Sequence, residues 1–113
     1  MTHENNRQLL NVLNNCIVEC NHCATACLEE EDVKMLTKCI RLDLDCADIC
    51  NLVVGFLARG SQHAEHLMGE CAEICRACAD ECEKHAAHGM EHCRTCAEAC
   101  RRCAEECMQM AHA

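Results

Sequence analysis

The chain contains no Pro, Trp or Tyr, a single Phe and only four Gly. Without those turn residues a loop-rich, disulfide-stapled miniprotein is excluded. Without aromatics, something other than bulky hydrocarbon must fill the interior. Basic residues are also scarce: 10 Lys+Arg stand against 19 Asp+Glu, a net charge of −9. Such a chain offers no basic face to phosphates or anionic lipid, so neither nucleic acid nor a membrane is an expected partner. No apolar run is long enough to span a bilayer. The opening Met1-Thr2-His3-Glu4-Asn5-Asn6-Arg7 lacks the basic-then-apolar pattern of an export signal. The expected location is therefore the cytosol, where thiols stay reduced.

What abounds is sulfur. Sixteen of the 113 residues are Cys, and in a reducing compartment so many thiols point to metal before disulfides. The remaining sequence is rich in Ala, Glu, Leu, Met and Arg and favours helix. Breakers divide it into four helices, expected over about 4–28, 33–59, 62–87 and 90–110. Asp32 is placed to cap the second, Gly60 to end it, Ser61 to cap the third, and His88-Gly89 to turn into the fourth. Gly69 weakens the first turns of the third helix. Short connections between helices of about 25 residues, each about 37 Å long, make antiparallel neighbours. The expected fold is all-α, an up-down-up-down four-helix bundle forming one domain over 1–113 with a cysteine-lined core.

The cysteines follow one frame, C-x3-C-x2-C-x3-C, repeated on each helix. Residues 71–82 read CAEICRACADEC and residues 96–107 read CAEACRRCAEEC, identical at nine of twelve positions. Residues 16–27, CIVECNHCATAC, share the frame, and residues 39–50, CIRLDLDCADIC, share it with Asp43 in place of the second Cys. Cys93 precedes the last frame by three residues. Spacings of four and three are those of heptad a and d positions, so each set of sulfurs lies on one stripe facing the bundle axis. A lone Cys on such a stripe is ordinary core. Fifteen in a fourfold frame are not, because Leu or Ile would bury more area without the hazard of oxidation.

Apolar residues continue the stripes at one end: Leu9, Leu13, Val53, Leu57, Ala64, Met68 and Met110 form an expected hydrocarbon plug. The stripes finish at the other end near Cys27, Cys39, Cys82 and Cys93, where His85, His88 and His92 cluster. Metal is expected to enter at this end, with imidazoles receiving it first. Additional apolar stripes, Leu10, Ile17, Ala24 and Leu28 on the first helix and Ile40, Leu44, Ala47 and Val54 on the second, point to self-association.

Thiols at i and i+4 can converge on one ion while being held too parallel for an easy disulfide. A two-thiolate site is complete for Cu(I), whereas Zn wants four closed ligands at distinct sites, and iron–sulfur clusters favour loop-borne cysteines. Buried thiolates without metal are prohibitively costly, so the empty core holds neutral thiols and loading releases protons. The expected function is storage and detoxification of multiple Cu(I) ions, with no enzymatic activity. A zinc or general soft-metal buffer is the alternative. A redox enzyme is disfavoured because its CxxC pairs, such as Cys20/Cys23 and Cys100/Cys103, lie in helix interiors rather than at helix N-termini. A bundle crosslinked by oxidised thiols is the remaining alternative.

The whole chain resembles the cytosolic copper storage proteins, through CNHC (20–23), CIRLD (39–43), CADIC (46–50), the two later ladders and the His-rich turn. The resemblance implies many Cu(I) ions held chiefly by CxxxC pairs inside the bundle, and a homotetramer of bundles. Carried over are Cys16/Cys20, Cys23/Cys27, Cys46/Cys50, Cys71/Cys75, Cys78/Cys82, Cys96/Cys100 and Cys103/Cys107. Cys39 lacks an i+4 cysteine, and Cys93 stands outside the pairs; both remain candidate ligands. Asp43, His22, His85, His88 and His92 are weaker candidates. Copper chaperones are the candidate donors. Exported relatives carry a signal peptide, which is not seen here.

Overall fold

A computed structural model describes residues 3–111. Helix α1 spans His3–Leu28, α2 Thr37–Ala58, α3 Ala64–Ala86 and α4 Glu91–Ala111, with a short 3-10 turn at Val33–Leu36 before α2. The four helices form a bundle 46 × 19 × 19 Å in extent. Each helix packs on two neighbours, in the cycle α1–α2–α3–α4, and the diagonal pairs face one another across the axis.

The cysteine stripes form the core. All sixteen Cys are buried, in one cluster with Leu9, Leu13, Val53, Leu57 and Met68 at the plug end. Met110 is only half-buried against that end. Small side chains flank the sulfurs on the later helices: Ala72, Ala79, Ala86, Ala97 and Ala104 are buried, which lets backbones approach closely. Arg101 on α4 reaches Asp80 at 2.6 Å and Glu83 at 2.7 Å on α3, tying that hairpin on its outer face.

Two glycines make the turns that the sequence assigns to them. Gly60 has φ +69°; its N–H donates to the Leu57 carbonyl at 3.1 Å, and the Ser61 N–H to Phe56 at 2.9 Å. These are the two bonds of a Schellman ending. Gly89, at φ +93°, repeats them through Ala86 and, one residue on, His85. Gly69 does not interrupt α3.

Two helix starts differ from expectation. The second helix does not begin at Val33: residues 33–36 form the 3-10 turn, and Asp32 makes no side-chain capping bond. Residue 36 supplies the reason. Leu36 is buried three residues before Cys39, so the turn folds inward to extend the α2 stripe. The third helix starts at Ala64; Ser61 Oγ accepts from the His63 N–H at 3.1 Å in the turn before it.

Candidate metal centre

The four stripes meet as a continuous column of thiols. Along a helix, the i, i+4 sulfurs of Cys16/Cys20, Cys23/Cys27 and Cys71/Cys75 lie 3.9 Å apart and those of Cys96/Cys100 4.0 Å. Between helices they are closer. Cys46 and Cys75 approach to 3.4 Å, Cys39 and Cys82 to 3.5 Å, and both Cys20/Cys100 and Cys50/Cys71 to 3.6 Å. Contacts even cross the axis, from α2 to α4, at 3.8 Å for Cys46/Cys100 and Cys50/Cys103. Sequence spacing finds the pairs along each helix but is blind to these closer partners, which depend on how the stripes mesh.

Sets of four sulfurs lie within 4.8 Å of one another: Cys16/Cys46/Cys50/Cys75, Cys16/Cys20/Cys46/Cys100, Cys20/Cys78/Cys96/Cys100 and Cys50/Cys71/Cys75/Cys103. These sets share members, so an ion in one shares thiolates with the next. Another set, Cys23/Cys27/Cys39/Cys93, lies at the far end. Cys107 is buried at the plug end of the α4 stripe. All sixteen are free thiols. Hydrogen bonding to neighbouring thiols, and burial after it, push Cys23, Cys75, Cys100 and Cys107 up, while hydrogen bonds from the same neighbours push Cys16, Cys39, Cys71 and Cys78 down.

Asp43 interrupts the column and is fully buried. Its Oδ1 accepts thiol hydrogen bonds from Cys78 at 3.1 Å, Cys96 at 3.3 Å and Cys82 at 3.5 Å, while Oδ2 lies 3.9 Å from Cys39. Burial first, and after it the charge of Cys96, Cys78 and Cys39 as these thiols ionise, push its carboxyl up to about 11. It is a protonated acid at neutral pH, with oxygens facing three helices' worth of sulfur.

The histidines separate. His92 Nδ1 lies 3.5 Å from Cys93 Sγ, 3.6 Å from Cys23 and 3.9 Å from Cys27, with its Nε2 3.5 Å from Glu30. His85 turns instead to Glu81, Nε2 to Oε2, at 3.1 Å. His88 is exposed on the turn. His22 lies on the exposed face of α1, because the ladder at Cys20, Cys23 and Cys27 takes the inward one. Leu36 is buried in the same cluster as the cysteines.

A helical bundle whose interior is a network of shared thiols is a metal-binding bundle. The chain belongs to the copper storage protein family, whose sequence profile it matches over residues 2–112. It is similar to the Cu(I)-bound copper storage protein BsCsp3 of Bacillus subtilis, 43% identical with a TM-score of 0.88, covering 94% of this chain and 97% of that one. It is likewise similar to a cytosolic copper storage protein from Streptomyces lividans carrying five coppers: 41% identity, TM-score 0.92, covering 98% and 95% of the two chains. A shorter similarity, 59% over 39 residues, joins it to the uncharacterized cysteine-rich protein YhjQ of Bacillus subtilis (strain 168), spanning 34% of this chain and 36% of that relative.

Proposed function

We propose that this protein stores Cu(I) at high capacity in the cytosol, holding many ions at once and so limiting free copper. The single observation that carries the reading is the shared membership of the sulfur quartets. Cys16, Cys20, Cys46, Cys50, Cys75 and Cys100 each belong to more than one. Bridging of that kind suits a soft ion content with two or three thiolates, whereas a structural zinc site closes around four ligands of its own. Cargo copper would be held by all sixteen Cys, with contacts across helices as important as CxxxC pairs, and with Asp43 as an oxygen donor among Cys39, Cys78, Cys82 and Cys96. His92 would receive ions at the Cys23/Cys27/Cys93 end. Each arriving cation displaces protons from the thiols, and from Asp43 where it binds there.

The reading is of a binding protein and not an enzyme. A copper chaperone would be the donor. Val18, Leu28, Leu44 and Leu52 are exposed on α1 and α2, which fits burial of these helices in a homotetramer. Sedimentation at micromolar concentration should show the assembly; a monomer overturns it.

Titration of the reduced protein with Cu(I) against a chromophoric chelator tests the function. Many equivalents should bind before the chelator colours. Saturation at one or two overturns the storage reading, and equal retention of Zn(II) from an equimolar mixture would favour the general buffer.

A further inference from the structure

Within the column, some sulfurs form closed triangles in which every corner touches the other two. Cys16, Cys46 and Cys100, from α1, α2 and α4, make one whose three sides are all 3.8 Å. Cys50, Cys71 and Cys75, from α2 and α3, make a second, with sides of 3.6, 3.8 and 3.9 Å. The two share no residue. All six are free thiols with no exposed surface. Among the described residues no Lys or Arg is buried, so no fixed cation stands beside the triangles to compensate ionised sulfur. Chemistry that leaves no charge behind is favoured in such a place.

The corners of an equilateral triangle of 3.8 Å side lie about 2.2 Å from its centre. A bond from sulfur to a bound metal is slightly longer, about 2.3 Å for zinc. An atom bonded equally to all three sulfurs therefore sits just off their plane, at the apex of a shallow pyramid. Zinc closes a tetrahedron with a fourth ligand, whereas a trivalent atom that keeps a lone pair is complete with three.

We propose that these triads bind trivalent arsenic, taken up as its uncharged hydroxide, arsenous acid, one atom to each triangle. Binding is a condensation. Three As–O bonds break and three As–S bonds form, and each thiol proton leaves with a hydroxide as water. Three waters are released, arsenic stays trivalent and sulfur keeps its oxidation state. Guest and product are both neutral, so no ion is placed in the interior. The helices hold the corners together before the guest arrives, which spares the ordering that a flexible chain would undergo on binding. The inference does not rest on copper storage; it needs only the reduced, empty column.

The test uses the reduced, copper-free full chain and sodium arsenite near neutral pH. Native mass spectrometry should show at least two arsenic atoms bound, each adding the mass of arsenic less three protons. X-ray absorption at the arsenic edge should show three sulfur neighbours and no oxygen. Unfolding in urea keeps the thiols and removes the triangles, so arsenic should then be held about tenfold more weakly, or worse, against dithiothreitol. The variant Cys75→Ser/Cys100→Ser takes a corner from each triad and should lose two equivalents with its helical circular dichroism intact. Cys100 is chosen because the triangles Cys16/Cys20/Cys100 and Cys20/Cys96/Cys100 also need it. Arsenic that retains a hydroxide, equal retention by the unfolded chain, or a folded variant that binds as much as the parent overturns the triads. The first two are read on the parent sequence alone, whatever the variant does. A Cu(I) titration that stops at one or two equivalents overturns storage and leaves the arsenic result standing, so the two failures are distinct.

Discussion

Asp43 shows what one oxygen does in a column of sulfur. The unfolded chain ionises an aspartate near pH 4, while the folded, metal-free protein keeps this proton up to about 11. Across that window the folded state binds the extra proton, so its stability falls as pH rises, by up to about 1.4 kcal/mol per pH unit from this group alone. Asp43→Asn removes the dependence. Urea denaturation of the reduced apo proteins should show the variant gaining on the parent between pH 5.5 and 8; parallel stability profiles would refute a buried neutral acid. His92 is the other residue whose position carries a consequence. Of the three histidines near this end it alone places a ring nitrogen against sulfur, at 3.5 Å from Cys93. Changing His92 to Ala should slow uptake several-fold and leave final capacity almost intact, as followed by stopped-flow thiolate absorbance. Uptake at the parental rate would mean that ions reach Cys23 and Cys27 without it.

The helices were largely readable because their signals are local. The a/d recurrence of Cys, the Gly at two of the three turns and the lack of Pro act within a few residues, and they place all four helices and the buried face of each. What escaped was set by tertiary contact. Val33–Leu36 is helix-forming sequence, yet burial of Leu36 at the end of the α2 stripe draws it into a 3-10 turn. The i, i+4 sulfur pairs were legible; the closer Cys46/Cys75 and Cys39/Cys82 approaches required knowing how two helices mesh. The turn at Gly60 offers a direct check. With φ at +69°, Gly60→Ala forces a side chain into the left-handed region, which costs about 1–2 kcal/mol. Nothing lies within 4 Å of the added Cβ, so conformation alone is responsible. The melting temperature of the apo protein should fall by several degrees; an unchanged value would show that the turn relaxes freely.

The buried sulfurs and the plug are expected to make the bundle a folded object before any metal arrives. The column is closely filled, with sulfurs 3.4–4.0 Å apart, and the plug adds hydrocarbon burial. Circular dichroism of the reduced, copper-free protein should remain strongly helical, and a coil spectrum would make this a metal-nucleated fold. The plug is expected to contribute stability rather than access. Leu57→Ala should cost about 2–5 kcal/mol with little change in the rate of copper uptake, and faster uptake would reveal a second way in.

That closed end also governs history. Leu9, Leu13, Val53, Leu57 and Met68 are all buried, and they present no thiolate beyond the last cysteines. A column closed at one end and filled only from the other would behave as a stack: the ion deposited last would be the first to be withdrawn. Copper at the Cys71 and Cys107 level would be the oldest in the molecule, and copper beside Cys93 the most recently acquired. A pulse of one copper isotope followed by another would then leave the protein in order of age reversed.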